Sequence, residues 1–589
     1  MTYAPRSLPA EFLRRPHSVA HAVATFLARS GVLRIYGLTG SHIKPLWDEA
    51  TRAGLRVIDV RHEAAAVHMA QADAELTGEP AVAVVTTGPG LANAVPGIAA
   101  AHQARVPVLI LSALPPSAQL GLGALEELDQ AGLVRSITRL AGTVRHPRQL
   151  LPFLQASFEA AVGAEAPPGP AFLDFPTDVL RGETTWSRAE QISGAPRALR
   201  PIAPTPEAID AAAAAIRTSR RPVVISGRGA RAAQPALSRF LATSGALYLD
   251  TPESRGLVAD DHPAYVPAMR SAVMGGADTV ITVGRRLDFA LAYGSNAAFP
   301  AATFIRIGRH GEELTANRVG DVQVHADTGR ALELLAASDI APDAPDTGWL
   351  QDIRDRNARR RKRWADRARA EPTGPDGAIH PNALISVINE TLAGADQAPI
   401  VIADGGDTLS FARVGLTPPP RLDTGTFGLL GVGVPFAIAA SLLHPDRTVL
   451  ALIGDGAFGF NAMELDTARR TGARPIFVIS NNSAWNIERL DHVANYTANP
   501  RFNTELPGCR YDQLARSLGM HAQRVTSLDR LAPALHEAIA HAPSLIDVRT
   551  SGEIPSPDFT AGLADLPDLH VVRGWDDAER ALHTRQEEG

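Results

Sequence analysis

The stretch GDGAFGFNAMELDTARRTGARPIFVISNN, Gly454 to Asn482, decides how the chain is read. The apolar run TVLALI leads into it and a second apolar run, PIFVIS, lies near its end. Between them is a segment of helical periodicity that Gly472 ends. Two buried strands joined by a helix form a strand–helix–strand unit, and such crossovers make the strands parallel neighbours. Asp455, in the exit turn of the first strand, and Asn481 with Asn482, at the end of the second, then lie together at carboxyl ends of strands. Open α/β sheets bind their ligands there.

Glycines in such a turn let backbone approach a phosphate, and the following helix supplies free N–H groups and a positive dipole end. A carboxylate in that place repels the ligand unless a cation intervenes. Mg²⁺ resolves the conflict, because it takes a carboxylate, a carboxamide oxygen, a carbonyl and phosphate oxygens in one octahedron. The plainer alternative is a tight GDG turn and an Asn pair that caps the next helix; it leaves the pairing of the two ends unexplained.

Working outward, apolar strand-like runs alternate with Ala-rich helical stretches from end to end, the pattern of α/β domains with parallel sheets. The 589 residues are too many for one core, and three doubly wound blocks separate at composition shifts. The first, residues 14–185, holds VLRIYGL, PAVAVVTTG, PVLILSA and PAFLDFP. The Pro-bearing piece GETTWSRAEQISGAPRALRPIAPTP is a linker. Block two, residues 203–340, holds RPVVISG, ALYLDTP, DTVITVG and ATFIRIG. After a charged connector, block three, residues 381–550, holds APIVIADGG, RTVLALIGDG, RPIFVISNN and PSLIDVRT. Residues 551–589 form a tail with little periodicity, read as a lid or a loose end.

Composition narrows the function class. Net charge is -6 and the pI about 6.3, with no basic excess for nucleic acid. The stretch RNARRRKRWADRARA, interleaved with acids and alanines, reads as a solvated helix face or linker. No apolar run is long enough to span a bilayer, and the N-terminus reads as an amphipathic helix. A single cysteine, Cys509, excludes an internal disulfide and fits a reducing cytoplasm.

Three further motifs stand out. RHEAAAVHMAQADAELTG places Glu63 before an Ala-rich helix; VTTGPGLAN, Val85 to Asn93, is a second glycine-rich turn; and GTFGLLGVGVP contains Leu430. With the Gly454–Asn482 segment, these resemble the thiamine diphosphate (ThDP)-dependent enzymes, in the branch with acetolactate synthase, oxalyl-CoA decarboxylase and 2-hydroxyacyl-CoA lyase. The resemblance covers nearly the whole chain in the family's order of pyrimidine-binding, central and diphosphate-binding domains.

The resemblance implies a set of roles. Asp455 and Asn482 would be metal ligands, with the carbonyl of Ala484 completing the protein's share. Gly454, Gly456, Ala457, Phe458 and Asn486 would bind the cofactor, Leu430 would prop it in its bent shape, and Gly88, Pro89 and Asn93 would belong to the turn beside it. Glu63 would be the catalytic acid. Bonded to the aminopyrimidine ring nitrogen, it makes the exocyclic amine basic enough to take the proton from thiazolium C2, and an apolar pocket would raise its pKa for that task. Glutamate and metal motif come from different subunits in this family, which implies a homodimer or homotetramer with active sites at the subunit interface.

Departures from named members blur the substrate. ALEELDQ, Ala124 to Gln130, has Glu126 and Leu125 where acetolactate synthases carry Gln and Phe, and NNSAWNIERLDH lacks their Gly-Met-Val-x-Gln-Trp run. Ser41 and His42 in LTGSHIKPL, Glu126, and Asn486 with Glu488 are the residues expected to face the reacting carbon. The implied activity is a ThDP- and Mg²⁺-dependent lyase or transferase acting on a small 2-oxo acid, by decarboxylation or carboligation. The alternative is a CoA-substrate enzyme of the 2-hydroxyacyl-CoA lyase or oxalyl-CoA decarboxylase kind.

The central block supplies a rival signal. VVISGRGARAA reads G-x-G-x-x-A (Gly227, Gly229, Ala232) and Asp250 follows at the distance of a dinucleotide fingerprint. Taken alone it suggests a nucleotide-dependent oxidoreductase; in the family the same place holds FAD, the ADP part of CoA, or nothing. Gly308 stands where relatives carry an acid for a ribose, while Arg285, Arg286 and Arg309 offer charge for phosphates or are simply solvated.

Overall fold

The computed structural model describes residues 17–184, 200–395, 397–496, 503–506, 508–562 and 567–587. Most of the Pro-bearing linker and the first residues of the chain lie outside them. Three sheets are present besides a two-stranded ribbon, and every strand pairing within the three is parallel. The first has the order Arg56–Asp59, Arg34–Gly37, Ala81–Val84, Val108–Leu114, Ala171–Pro176, Leu140–Thr143. The second runs Leu247–Leu249, Pro222–Ser226, Thr279–Val283, Thr303–Gly308, Val322–His325. The third runs Ile400–Asp404, Val449–Gly454, Ile476–Asn481, Ser544–Arg549, His521–Val525. The α/β architecture of helix-flanked parallel sheets is the one implied by the alternating apolar runs.

Each strand-like run quoted from the three blocks contains a strand. Four strands had no such run: Arg56–Asp59, Leu140–Thr143, Val322–His325 and His521–Val525. All four are sheet edges, with one side open to solvent, so their sequences need no unbroken hydrophobic stretch.

By contact the chain forms two compact units. One comprises Met1–Arg200 with Phe427–Asp446 and Phe460–Pro475; the other comprises Pro201–Thr426 with Arg447–Gly459 and Ile476–Gly589. In the first unit, twelve successive residues of the helix Glu63–Thr77, from Glu63 to Ala74, are buried. It packs on the helix Pro89–Gln103 and on Gly433–Leu443, itself buried from Gly433 to Leu442. A run of alanines lets three helices meet closely, and the first residue of the innermost helix is Glu63.

In the second unit the central and third sheets are joined through a buried ion triad. Arg255 Nη1 is 2.8 Å and Arg413 Nε 3.1 Å from Asp423 Oδ2. Burial alone would raise the Asp423 carboxyl, but Arg413 and Arg255 hold it below its ordinary range. The tail is more ordered than its composition suggested. It forms a helix, Arg573–Glu587, Trp575 packs against the apolar cluster around Leu291 and Phe299, and His570 stacks on Tyr293. The basic stretch lies on the helix Thr347–Ala370. No helix among the described residues is long and apolar enough to cross a membrane.

His68, 2% exposed, lies on the buried helix with its ring edge-on to Phe436. Burial, helped by His62, lowers its pKa to about 4. It is therefore carried neutral, and its contribution to stability is complete above the unfolded pKa near 6.5. It is lost as pH falls toward 4. Between pH 7.5 and 5 the unfolding free energy of wild type should fall by about 2 kcal/mol more than that of His68→Gln, measured by denaturant titration.

Candidate functional site

Gly454 ends its strand opposite Ser480, and the helix Asp455–Asn461 begins at the next residue. This register brings Asp455 beside the end of Ile476–Asn481, as the crossover argument requires. Asp455 is 3% exposed, and its Oδ2 is buried without a hydrogen-bond partner. Burial pushes its pKa up to about 7, although backbone N–H groups of Gly456, Ser483 and Ala484 pull the other way.

The two asparagines divide their work. Asn481 faces the sheet: its Nδ2 donates to Asp547 Oδ1 at 2.9 Å and its Oδ1 accepts the Ser483 N–H at 3.2 Å. Asn482 turns the other way, its Oδ1 accepting from the Ala484 N–H at 3.2 Å. Ser483, at φ 57, makes the turn. An orphaned buried carboxylate oxygen, a carboxamide oxygen and a backbone carbonyl are hard donors, and the set suits a small dication.

Gly456 and Ala457 open the helix that follows Asp455. Phe458 is turned inward, 1% exposed and edge-on to Tyr511, so any part it has in ligand binding is through its backbone. Asn486, 5% exposed, donates through Nδ2 to Asp407 Oδ2 and accepts through Oδ1 from Arg489 Nε at 3.0 Å. Its side chain is spent inside the protein. Glu488, expected to face the reacting carbon, is exposed.

Sequence reasoning passed over the partner of Asn486. The segment Gly405–Gly406–Asp407 follows the strand Ile400–Asp404, neighbour of Val449–Gly454. Asp407 is 6% exposed; burial raises its pKa, with hydrogen bonds from Ser556 and Asn486 opposing. The available signal was the pair of glycines before an acid at the end of an apolar strand, the same device as GDG.

In the first unit a second group forms. Glu63 is capped into its helix by His62, is 6% exposed, and its Oε2 accepts from Asn93 Nδ2 at 3.1 Å. Gly88, at φ 58, precedes Pro89 at the start of Pro89–Gln103. A methyl at Gly88 would run into the Glu126 carbonyl, so both φ and space demand glycine. Its N–H donates to Gln130 Oε1 at 3.0 Å. Glu126 is itself left-handed, at φ 62, and its carboxylate lies 3.3 Å from His42 Nδ1. That separation is an ion pair's, although the angle is not that of a hydrogen bond. Ser41, next to His42, is exposed. Leu430 also belongs to this unit and is half-buried before Gly431.

The central turn is otherwise engaged. Gly229 lies against the backbone of Gly284, where a Cβ would stand 2.8 Å from its Cα. Close packing of two loops therefore accounts for that glycine. Asp250 is 8% exposed and accepts from the Tyr265 hydroxyl at 3.0 Å. Arg285 is fully buried between Glu253 (2.9 Å) and Asp288 (2.6 Å), and Arg309 is paired with Asp327. Neither is a solvated phosphate holder.

These contacts separate the two asparagines experimentally. Asn481→Ala should destabilise the fold by about 1–3 kcal/mol, because it strips Asp547 of its partner. Asn482→Ala should change stability by less than about 0.5 kcal/mol. Thermal denaturation of the ligand-free protein reads both.

Comparison with known proteins agrees with this arrangement. Residues 17–133 match the thiamine pyrophosphate enzyme N-terminal TPP binding domain, 209–335 the central domain, and 405–548 the C-terminal TPP binding domain. The chain is 32% identical over 558 residues to a probable acetolactate synthase of Mycobacterium bovis, covering 92% of this chain and 98% of that protein. It is 29% identical to 2-hydroxyacyl-CoA lyase 2 of Homo sapiens, over 88% of each chain. The 2-hydroxyacyl-CoA lyase of Oryza sativa is 29% identical, over 89% of this chain and 93% of that one. The chain belongs to the thiamine pyrophosphate enzyme family and is a thiamine pyrophosphate-dependent lyase or carboligase.

Proposed function

We propose that the protein uses thiamine diphosphate and Mg²⁺ to cleave or join carbon–carbon bonds of a 2-oxo acid, in the manner of an acetolactate synthase. The observation that carries this reading is Glu63: a carboxylate buried at the head of a buried helix, with Asn93 its one hydrogen-bond partner among the described residues. Bound thiamine diphosphate supplies a thiazolium carbon that adds to a carbonyl and accepts the electron pair left by carbon–carbon cleavage.

The remaining work falls to the chain. Glu63 holds a proton at the pyrimidine ring nitrogen, and Asn93 fixes the carboxylate that does so. Asp455, Asn482 and the Ala484 carbonyl hold the metal, the orphaned Asp455 oxygen being the strongest support for it. Gly454, Gly456 and Ala457 let backbone approach the diphosphate, and Leu430 supplies an apolar prop. At the reacting carbon, His42 moves a proton with Glu126 as its ionic partner, and Ser41 orients the substrate. Glu126 also disfavours a second carboxylate near it, which limits the donor to small acids. We read the central turn as structural, with no nucleotide.

Assembly follows from the same reading. Phe427, Phe460 and Met463 are 46%, 60% and 44% exposed in the first unit, and Leu122 and Leu125 are 79% and 73% exposed on the Glu126 loop. Exposed apolar side chains in this number suit burial by a second copy, in a homodimer or homotetramer that completes its sites across the interface. The lone cysteine, exposed Cys509, calls for no oxidising compartment, in keeping with a cytoplasmic protein. A second reading, cleavage of a 2-hydroxyacyl-CoA, is favoured by the relatives of that name.

Glu63→Gln should lower kcat by about 10²–10⁴-fold with the fold intact; a wild-type rate would end the proposal. Asp455→Ala should abolish the Mg²⁺-dependent part of thiamine diphosphate binding in calorimetry. Carbon dioxide release from 2-oxo acids, set against aldehyde release from a 2-hydroxyacyl-CoA, separates the two substrate readings.

A further inference from the structure

Glu63 begins its helix, so its carboxylate can be no better placed than the backbone of Asp59–Glu63 that precedes it. That segment follows an edge strand, Arg56–Asp59, half of whose residues are exposed. Something else must hold it, and one helix of the same unit, Glu464–Thr471, provides the contacts.

Glu464, 1% exposed, is the first residue of that helix. Its Oε1 accepts the backbone N–H of Arg61 at 3.0 Å and of His62 at 3.0 Å, and its Oε2 lies 3.2 Å from the Arg61 N–H. Oε2 also accepts from the Thr467 hydroxyl at 2.6 Å, and Thr467 is fully buried. Around this centre, Arg470 Nη1 donates to Asp59 Oδ2 at 2.7 Å and Nη2 to the Asp59 carbonyl at 3.1 Å. Arg61 Nη1 reaches Asp466 Oδ2 at 3.1 Å. The outer ion pairs are exposed and weak. The Glu464 carboxylate is buried and its bonds are charge-assisted, the stronger kind.

We infer that Glu464 is a positioning residue for Glu63: its carboxylate clamps the two peptide N–H groups immediately before the Glu63 helix and so sets where the Glu63 carboxylate lies. The inference rests on the proposed role of Glu63 and adds to it a residue from a different part of the chain. A carboxylate is required, because only it presents two acceptor oxygens. Gln has the same shape but would point an amide N–H at a peptide N–H or at the Thr467 hydroxyl; Asp would not reach. Burial raises the Glu464 pKa, and the hydrogen bonds from Thr467, Arg61 and His62 oppose that. The clamp is therefore formed by groups that stabilise the charged state.

The test uses the full-length protein loaded with thiamine diphosphate and Mg²⁺, and reads exchange of the cofactor's C2 proton in D₂O by quenched proton NMR. Glu464→Gln should retain cofactor affinity within about threefold in calorimetry while exchange slows about 10- to 100-fold. Because Glu464 acts through Glu63, the Glu63→Gln/Glu464→Gln double variant should exchange no more than about twofold slower than Glu63→Gln alone. A merely structural role would make the two losses multiply. Wild-type exchange in Glu464→Gln, or multiplying losses, overturns the inference while leaving Glu63 in its role. Wild-type exchange in Glu63→Gln overturns that role and the inference with it, and shows itself without touching Glu464. Should Glu464→Gln not fold, amide exchange in the wild type decides: the Arg61 and His62 amides should be protected like helix interior, and rapid exchange there overturns the clamp.

Discussion

A carboxylate oxygen buried without a partner is the constraint on which the rest depends. Taking an ionised carboxylate out of water is expensive unless a donor or a cation meets it, and Asp455 Oδ2 meets neither from the chain itself. The surrounding strands cannot relieve it: Asp455 follows a strand whose residues are all buried, and its neighbour strand is likewise buried throughout. In the function proposed here, the missing interaction comes from a bound ligand. A dication satisfies the oxygen and at the same time makes the site attractive to a diphosphate, so the two ligands support each other's binding.

The other buried acids show the contrast. Asp250, Glu253, Asp423 and Glu464 each meet hydroxyl, guanidinium or peptide donors. Asp455 instead keeps a buried oxygen without a partner, and Glu63 has Asn93 as its one hydrogen-bond partner among the described residues. The helix Glu464–Thr471 lies in the same crossover as Asp455 yet serves the Glu63 segment, which explains why a single contiguous stretch of sequence carries so much of the functional argument.

The fold was legible because buried parallel strands must be unbroken apolar runs, and TVLALI or PIFVIS can be little else. What was not legible were four of the six edge strands, where solvent on one side frees the sequence from that rule. The Asp455–Asn482 pairing was readable because a crossover of fixed handedness sets where strand ends meet. Asp407 carried a signal that was passed over, the glycine pair before it, but its partner Asn486 and the partners of Glu464, the Arg61–His62 peptide groups, are brought to them only by tertiary packing. The central G-x-G-x-x-A has a packing account of its own. A local pattern matched a nucleotide fingerprint, yet Gly229 is small because Gly284 is against it, and Asp250 is occupied by Tyr265.

The claim most exposed to contradiction is that a metal bridges Asp455 to the cofactor's phosphates. Mn²⁺ in place of Mg²⁺ makes it directly observable by electron–nuclear double resonance of the protein with thiamine diphosphate. The account predicts a phosphorus-31 coupling to Mn²⁺ that appears only when cofactor is added and vanishes in Asp455→Ala. Bound Mn²⁺ with no phosphorus coupling, or a coupling indifferent to Asp455, would contradict it.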